Sequence, residues 1–289
     1  MKVSKKHVNQ AFGKAAKTYN EAAVVQTEIL ARLLSRLALL QPECSSILDL
    51  GSGTGLAKDK IQKIYGESTY MALDMSFPML KYALNDNESL YPYPSICADM
   101  EALPLRDNVL ETIFSASCFQ WSNSIEETFL ECLRILKNEG LLLFSTFGPG
   151  TLDELQQCFQ QVDTHPHVNE FIDMHELGDV LLSVGFSSPV MESETITVEY
   201  SDPRQLFSDL KATGATNHVQ NQSKGLLTKE RLNTVIKQYE QFRLPNGKYP
   251  VSYEVIFGHG RKLTTGVDKL GQSEWQPISF KPQYSEKKS

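Results

Sequence analysis

The chain has 289 residues, 41% of them apolar, and a formal charge of −7, enough to bury a sizeable core and too acidic overall for broad adhesion to nucleic acid or anionic lipid. Its longest apolar runs, such as residues 141–144, fall far short of the roughly 20 residues a helix needs to cross a bilayer, and the lysines of the first seven residues precede no apolar stretch of a secretory signal. Cys44, Cys97, Cys118, Cys132 and Cys158 are scattered, with no C-x-x-C pair, so the expectation is a cytoplasmic protein with buried thiols, no metal, and no nucleic-acid or membrane partner.

In chain order, residues 24–40 carry Ile29, Leu30, Leu33, Leu34 and Leu37 at the spacing of an amphipathic helix that stops before Pro42. Strand-like and helical stretches then alternate: a strand over 46–50, a helix from Leu56, a strand over 70–74, a helix from Pro78, strands over 95–98 and 109–117, a helix over 124–136 and a strand over 141–147. That alternation predicts an α/β fold with a doubly wound, mostly parallel sheet. After Gly150, helices over 152–162, 175–184, 203–213 and 228–242 outnumber the strands 190–200 and 252–258. Asp202 before Pro203 reads as an N-cap followed by a proline at the first helical position. The long stretch between the last two strands predicts a helical insertion, about residues 201–249, roofing the substrate end of the sheet. Residues 1–262 are expected to form one domain, with a helical cap over 8–41. The polar tail 263–289 is expected to be disordered.

The string Ile47-Leu48-Asp49-Leu50-Gly51-Ser52-Gly53-Thr54-Gly55 reads as a buried strand entering a tight turn whose glycines let a ligand approach the backbone. A second strand ends in Asp74, where doubly wound folds place a carboxylate for ribose hydroxyls. A third runs into Asp99, suited to accept from an adenine amino group, while Met75 and Met100 can sandwich the ring. Ser115 near the end of the fourth strand can face the remainder of the cofactor. Either acid alone could instead cap the helix that follows it.

The glycine turn, the acids after strands two and three, and Leu103-Pro104-Leu105 resemble the class I methyltransferase pattern, with Leu56 where a dinucleotide fingerprint would place its third glycine. Longer strings resemble one family, the malonyl-acyl-carrier-protein O-methyltransferases of biotin synthesis. They are residues 12–19 with Ala22-Ala23, Phe119-Gln120-Trp121, LLFSTFGPGTL over 142–152, VDTHPHVNEF over 162–171, Leu177-Gly178-Asp179, residues 209–212 with Gly214-Ala215, and Tyr253-Glu254-Val255. Asn20 stands where an acid commonly follows the tyrosine, and Ser52 where cysteine or alanine is common.

The resemblance implies S-adenosyl-L-methionine as cofactor, held by Asp49, Gly51, Ser52, Gly53, Gly55, Asp74, Met75, Asp99, Met100 and Ser115. It implies methyl transfer to the free carboxylate of a malonyl thioester. A carboxylate is ionised at neutral pH and requires no general base, so substrate positioning is expected from Tyr19, Phe119, Gln120, Trp121, His165, Arg204 and Lys211. His165 and His167 flank Pro166 without a third metal ligand. The implied partner is an acidic acyl carrier protein, or malonyl-CoA, and Arg204, Lys211, Lys224, Lys229, Arg231, Lys237, Arg243, Arg261 and Lys262 are candidates for its landing surface. A methyltransferase acting on a small molecule such as a quinone precursor and a non-catalytic nucleotide-binding module remain the alternatives.

Overall fold

The computed structural model describes residues 3–40, 44–66, 68–85, 93–162, 167–215 and 228–263. Three helices, α1 (Lys5–Ala15), α2 (Tyr19–Ala22) and α3 (Val24–Leu40), precede β1 (Ser46–Leu50). The alternating part comprises α4 (Lys58–Ile64), β2 (Thr69–Asp74), α5 (Phe77–Asn85), β3 (Ser95–Cys97), β4 (Leu110–Ala116), a 3₁₀ turn at Phe119–Trp121, α6 (Ile125–Ile135) and β5 (Leu136–Phe147). Then come α7 (Asp153–Gln160), α8 (Met174–Val184), β6 (Phe186–Tyr200), α9 (Pro203–Ala212), α10 (Lys229–Gln238), a 3₁₀ turn at Tyr239–Phe242 and β7 (Tyr249–Lys262).

The seven strands form one sheet in the order β3-β2-β1-β4-β5-β7-β6. Strands β1 to β5 are parallel to one another, and β7 runs antiparallel to both β5 and β6. The doubly wound sheet expected from the alternation is therefore the fold. In β1, Ile47, Leu48 and Leu50 are fully buried because helices cover both faces of a parallel sheet. Ile47 packs with Ile29, Leu33 and Leu37 of α3 on one side, and Leu48 with Phe129, Cys132 and Ile135 of α6 on the other.

Local signals set the helix ends. Ser124 caps α6 by accepting from Glu127 N, and Asp202 caps α9 by accepting from Arg204 N at 2.9 Å, with Pro203 in the first turn. Strands β6 and β7 are longer than the patterning predicts, since β6 is an edge strand whose outward residues are polar. The expected disorder of the tail falls on residues outside those described, beyond Leu263.

The parallel order reverses between β1 and β4, neighbours in the sheet whose crossover connections run in opposite directions. The crevice beyond their carboxyl ends is where such folds bind ligands.

Candidate functional site

A cavity opens at that crevice, walled by the turn after β1, the ends of β2 and β4, and α1, at the place where such sheets take small-molecule ligands. The turn after β1 shapes its floor. Gly51 N and Ser52 N both donate to Leu73 O, at 2.7 and 3.1 Å, folding the turn over the end of β2. Gly51 adopts φ +80°, and a Cβ there would overlap Cys118 Sγ and Cβ, so only glycine fits. Gly53, at φ +54°, has open space where a Cβ would stand.

Asp74 ties the two loops of the floor together. Its Oδ2 accepts from Gly53 N at 2.9 Å and its Oδ1 from Ser76 N at 2.7 Å. Burial raises its pKa, against the pull of those two backbone donors. Asp99 Oδ1 accepts from Glu101 N at 3.0 Å, and its Oδ2 meets Lys5 Nζ at 2.6 Å. Met75, Met79 and Met100 add polarizable apolar wall.

Helix α1 forms the roof, because its apolar stripe turns inward: Val8, Phe12 and Trp121 pack together, Phe12 edge-on to Trp121 at 5.3 Å. Tyr19 lines the cavity, and burial raises its hydroxyl's pKa, helped by the nearby Asp74 carboxylate. Asn20 Oδ1 accepts from Thr54 Oγ1 at 2.5 Å, tying α2 to the glycine turn.

Of the anticipated cofactor residues, Gly51, Gly53, Asp74, Met75, Asp99 and Met100 line this cavity. Asp49, Ser52, Gly55 and Ser115 stand behind its wall. Asp49 is buried beneath the turn, accepting from Tyr70 OH at 2.5 Å, and burial lifts its carboxyl to about 7 against that bond. Gly55, at φ +82°, lies against Ala83 and Tyr93. Ser115 Oγ donates to Leu50 O at 2.8 Å inside the sheet. Ser117, just past the strand end and at φ +53°, takes the lining position. Strand residues Leu50, Leu73 and Ala116 also line the cavity, but the Ser115 hydroxyl is turned onto the Leu50 carbonyl. Lys5, Asn9, Phe12, Ser76 and Cys118 also line it; of these only Phe12 falls in a string that the resemblance covers, and none was named as a site residue.

Of the substrate candidates, Tyr19 and Trp121 line the cofactor cavity. Phe119 is 3% exposed, packed against Phe129 and Phe144. Gln120 Nε2 donates to Ser117 O at 2.7 Å, and its Oε1 accepts from Thr146 Oγ1 at 3.3 Å. Phe119 and Gln120 also line a second cavity, with Thr146, Asn169 and Phe171. His165 lies outside the described residues, and His167 stacks on Phe159 at 3.9 Å. Arg204 and Lys211 are on the exposed face of α9, with Arg204 reaching Asp202 at 3.4 Å.

Two of the basic candidates are misplaced for a landing surface. Arg261 and Lys262 lie within β7 rather than after it, and Arg261 pairs in register with Leu141 near the start of β5. That is the end of the sheet away from the cavity. Their charges are engaged there, Arg261 with Glu139 O at 2.9 Å and Lys262 with Leu136 O at 2.9 Å. Lys224 and the Lys229 side chain lie outside the described residues.

Residues 48–144 match the family model described as a methyltransferase domain. The chain is 40% identical to the malonyl-[acyl-carrier protein] O-methyltransferase of Gallionella capsiferriformans over 93% of this chain and 94% of the relative. The chain belongs to the malonyl-[acyl-carrier protein] O-methyltransferase family. The like-named protein of Methylovorus is 38% identical over 98% of this chain and 97% of its own. In fold, the chain superposes on the YcgJ protein of Bacillus subtilis with a TM-score of 0.58 at 15% identity, covering 81% of this chain and 99% of that one.

The cofactor of this methyltransferase is S-adenosyl-L-methionine, and the cavity fits it. Ser76 Oγ is buried at the cavity with no partner among the described residues, as expected of a group that awaits a ligand. Gly53 leaves room for close approach. Asp74 and Asp99 would hold the ribose hydroxyls and the adenine amino group, with Met75, Met79 and Met100 as the apolar wall. Bound there, the cofactor supplies a methyl group activated by a sulfonium.

Proposed function

We propose that the enzyme methylates the free carboxylate of a malonyl thioester on acyl carrier protein, an early step of biotin synthesis. The relatives that carry this name match more than nine-tenths of the chain, and the chemistry of the cavity wall supports the reading. Tyr19 and Cys118, the hydroxyl and thiol near the turn, both have pKa values raised, each chiefly by burial. Both stay protonated at neutral pH, so neither serves as a general base. An amine or phenol nucleophile would have to shed a proton, whereas a malonyl carboxylate arrives ionised. Its oxygen forms the new bond to the methyl carbon, the carbon–sulfur bond breaks, and the electron pair returns to sulfur. No proton moves.

Opposite charges cancel along that path, so strong solvation of either would favour reactants over the transition state. The chain's contribution is alignment and exclusion of water. We place the insertion between β6 and β7 as part of the lid. Thr18 Oγ1 donates to Ala212 O at 3.0 Å, and Gly214 lies against the backbone of Ala11 and Phe12, so α9 and the N-terminal helices close as one roof. The five free thiols suit a reducing cytoplasm. Malonyl-CoA presents the same carboxylate and is the second substrate to test.

Radiolabelled methyl transfer to malonyl carrier protein, malonyl-CoA and a quinone precursor tests the reading. Label should enter the malonyl thioesters and leave as methanol on alkaline hydrolysis, as a methyl ester requires. Label in the quinone precursor alone overturns it. Asp74→Ala should weaken S-adenosylhomocysteine binding by about 10- to 100-fold in calorimetry, because charge-assisted bonds to ribose are worth roughly 1.5 to 3 kcal/mol and the two loops lose their common acceptor.

A further inference from the structure

We infer that the outer face of α1, continued by Lys17 and Lys211, is the surface on which the acidic carrier protein docks. The inference rests on the carrier-protein reading above and names a surface that the insertion-centred expectation missed.

The first twenty residues hold five lysines and no carboxylate, in a chain whose net charge is −7. On α1, Lys6, Gln10 and Lys14 follow one another at i, i+4 and i+8, and all three are exposed, which places them along one helix face. They line a shallow groove with Pro78. Lys17 is exposed just beyond the helix, and the bond from Thr18 to Ala212 brings the end of α9, with exposed Lys211, alongside it. Lys81, one turn after Pro78 on α5, is exposed too. None of Lys6, Lys14, Lys17, Lys81 and Lys211 forms an ion pair among the described residues. By contrast, Arg204 and Arg243 of the insertion already face Asp202 and Glu240.

Unpaired cations keep their full field for a partner, while matched ones present a dipole. Like charges gathered on one face repel, and an acidic surface relieves that repulsion as it steers encounter. Position adds a second argument. The inner face of α1 lines the cofactor cavity through Val8 and Phe12, so a partner on its outer face is separated from that cavity by about one helix diameter, ~10 Å. A flexible prosthetic arm can reach around that edge to the reacting carboxylate.

The test compares Lys6→Glu/Lys14→Glu/Lys17→Glu with Arg204→Glu/Arg231→Glu, assayed on malonyl carrier protein and malonyl-CoA at low and physiological salt. The α1 variant should lose tenfold or more in kcat/KM for the carrier protein, with a flatter salt dependence, and stay within twofold on malonyl-CoA. The insertion variant should lose less than threefold on either. Unchanged carrier-protein kinetics in the α1 variant overturns the assignment, as does a proportional loss on both substrates, which would give the lysines a role in the cap itself. Retention of the wild type on anionic lipid vesicles, abolished in the α1 variant whose carrier-protein kinetics are intact, would assign the face to a membrane instead. A wild type that methylates neither thioester would refute the proposed function and with it the docking assignment, a failure distinct from one seen in the α1 variant alone.

Discussion

The floor of the cofactor cavity and its roof are joined over very different distances along the chain. In the floor, Gly53 meets Asp74 across 21 residues, and the turn folds onto the next strand. In the roof, Val3 N donates to Asn123 Oδ1 across 120 residues at 2.8 Å, and Thr18 meets Ala212 across 194. The floor is thus set by neighbouring strands of one βαβ unit, whereas the roof exists only once the whole sheet has formed. Changes in the floor should therefore act on cofactor affinity, and changes in the roof on closure and exchange.

The largest effect is expected at Gly51. Alanine there adds a Cβ that overlaps Cys118 and must hold φ near +80°, with costs of about 1 to 2 kcal/mol for the backbone and 1 to 3 kcal/mol for the overlap. Gly51→Ala should lower affinity for S-adenosylhomocysteine by about 100-fold or more in calorimetry. Adding Cys118→Gly removes the overlap but not the strain and should restore roughly tenfold. If Gly51→Ala binds like the wild type, the turn does not carry the cofactor.

This contrast also explains what the sequence reveals. Strand β1, its glycines and the acids Asp74 and Asp99 announce themselves through patterns confined to one strand and one turn, so the fold and most of the floor are legible. Ser115 illustrates the limit: its residue type suits the site, but its hydroxyl is spent on the Leu50 carbonyl inside the sheet, and Ser117, two residues on, holds the lining position. Lys5 and Asn9 carry no signal, and Phe12 only that of a family string, because an amphipathic helix does not say which surface its apolar face covers. Arg261 and Lys262 show the same blindness in charge, since an antiparallel last strand carries its end away from the cavity.

A middle-sized effect is expected where the two halves of the roof touch. Gly214 adopts φ +71°, and a Cβ there would stand 3.1 Å from Ala11 C and Phe12 N, tight enough that the facing backbone must give way. Gly214→Val should lift α9 from α1 and raise KM for the malonyl thioester about tenfold, while affinity for S-adenosylhomocysteine changes less than threefold. Equal losses in both would mean that lid and floor are one mechanical unit.

The smallest effect, and the one that most sharpens the comparison, is expected at Lys5, where roof meets floor. Its ammonium bridges Asp99 and Glu101, and Glu101 Oε1 in turn accepts from Asn123 N at 2.5 Å and Ser122 Oγ at 3.1 Å. One lysine therefore latches α1 to Asp99 and to the turn before α6. Burial lowers the Lys5 pKa, but the two carboxylates outweigh it and the net shift is upward, while Glu101, despite its own burial, is shifted downward by Lys5 and the backbone donors. The lysine's share is present below its unfolded pKa and lost only as pH rises through its raised folded value. The glutamate's share is present above its unfolded pKa and lost only as pH falls through its lowered one. The latch should hence be constant between about pH 6 and 9. The lysine side chain is 25% exposed, so salt screens the pair, and about 1 kcal/mol is a fair scale for its loss. Lys5→Met should raise the dissociation rate of S-adenosylhomocysteine about fivefold, read by stopped flow on Trp121 fluorescence, with the malonyl KM unchanged. The difference from wild type should shrink at high salt, stay flat across pH 6 to 9, and vanish in Lys5→Arg. An unaltered dissociation rate would mean that α1 opens without breaking this contact, and that the roof is held by its other ties, Phe12 on Trp121, Val3 on Asn123 and Thr18 on Ala212.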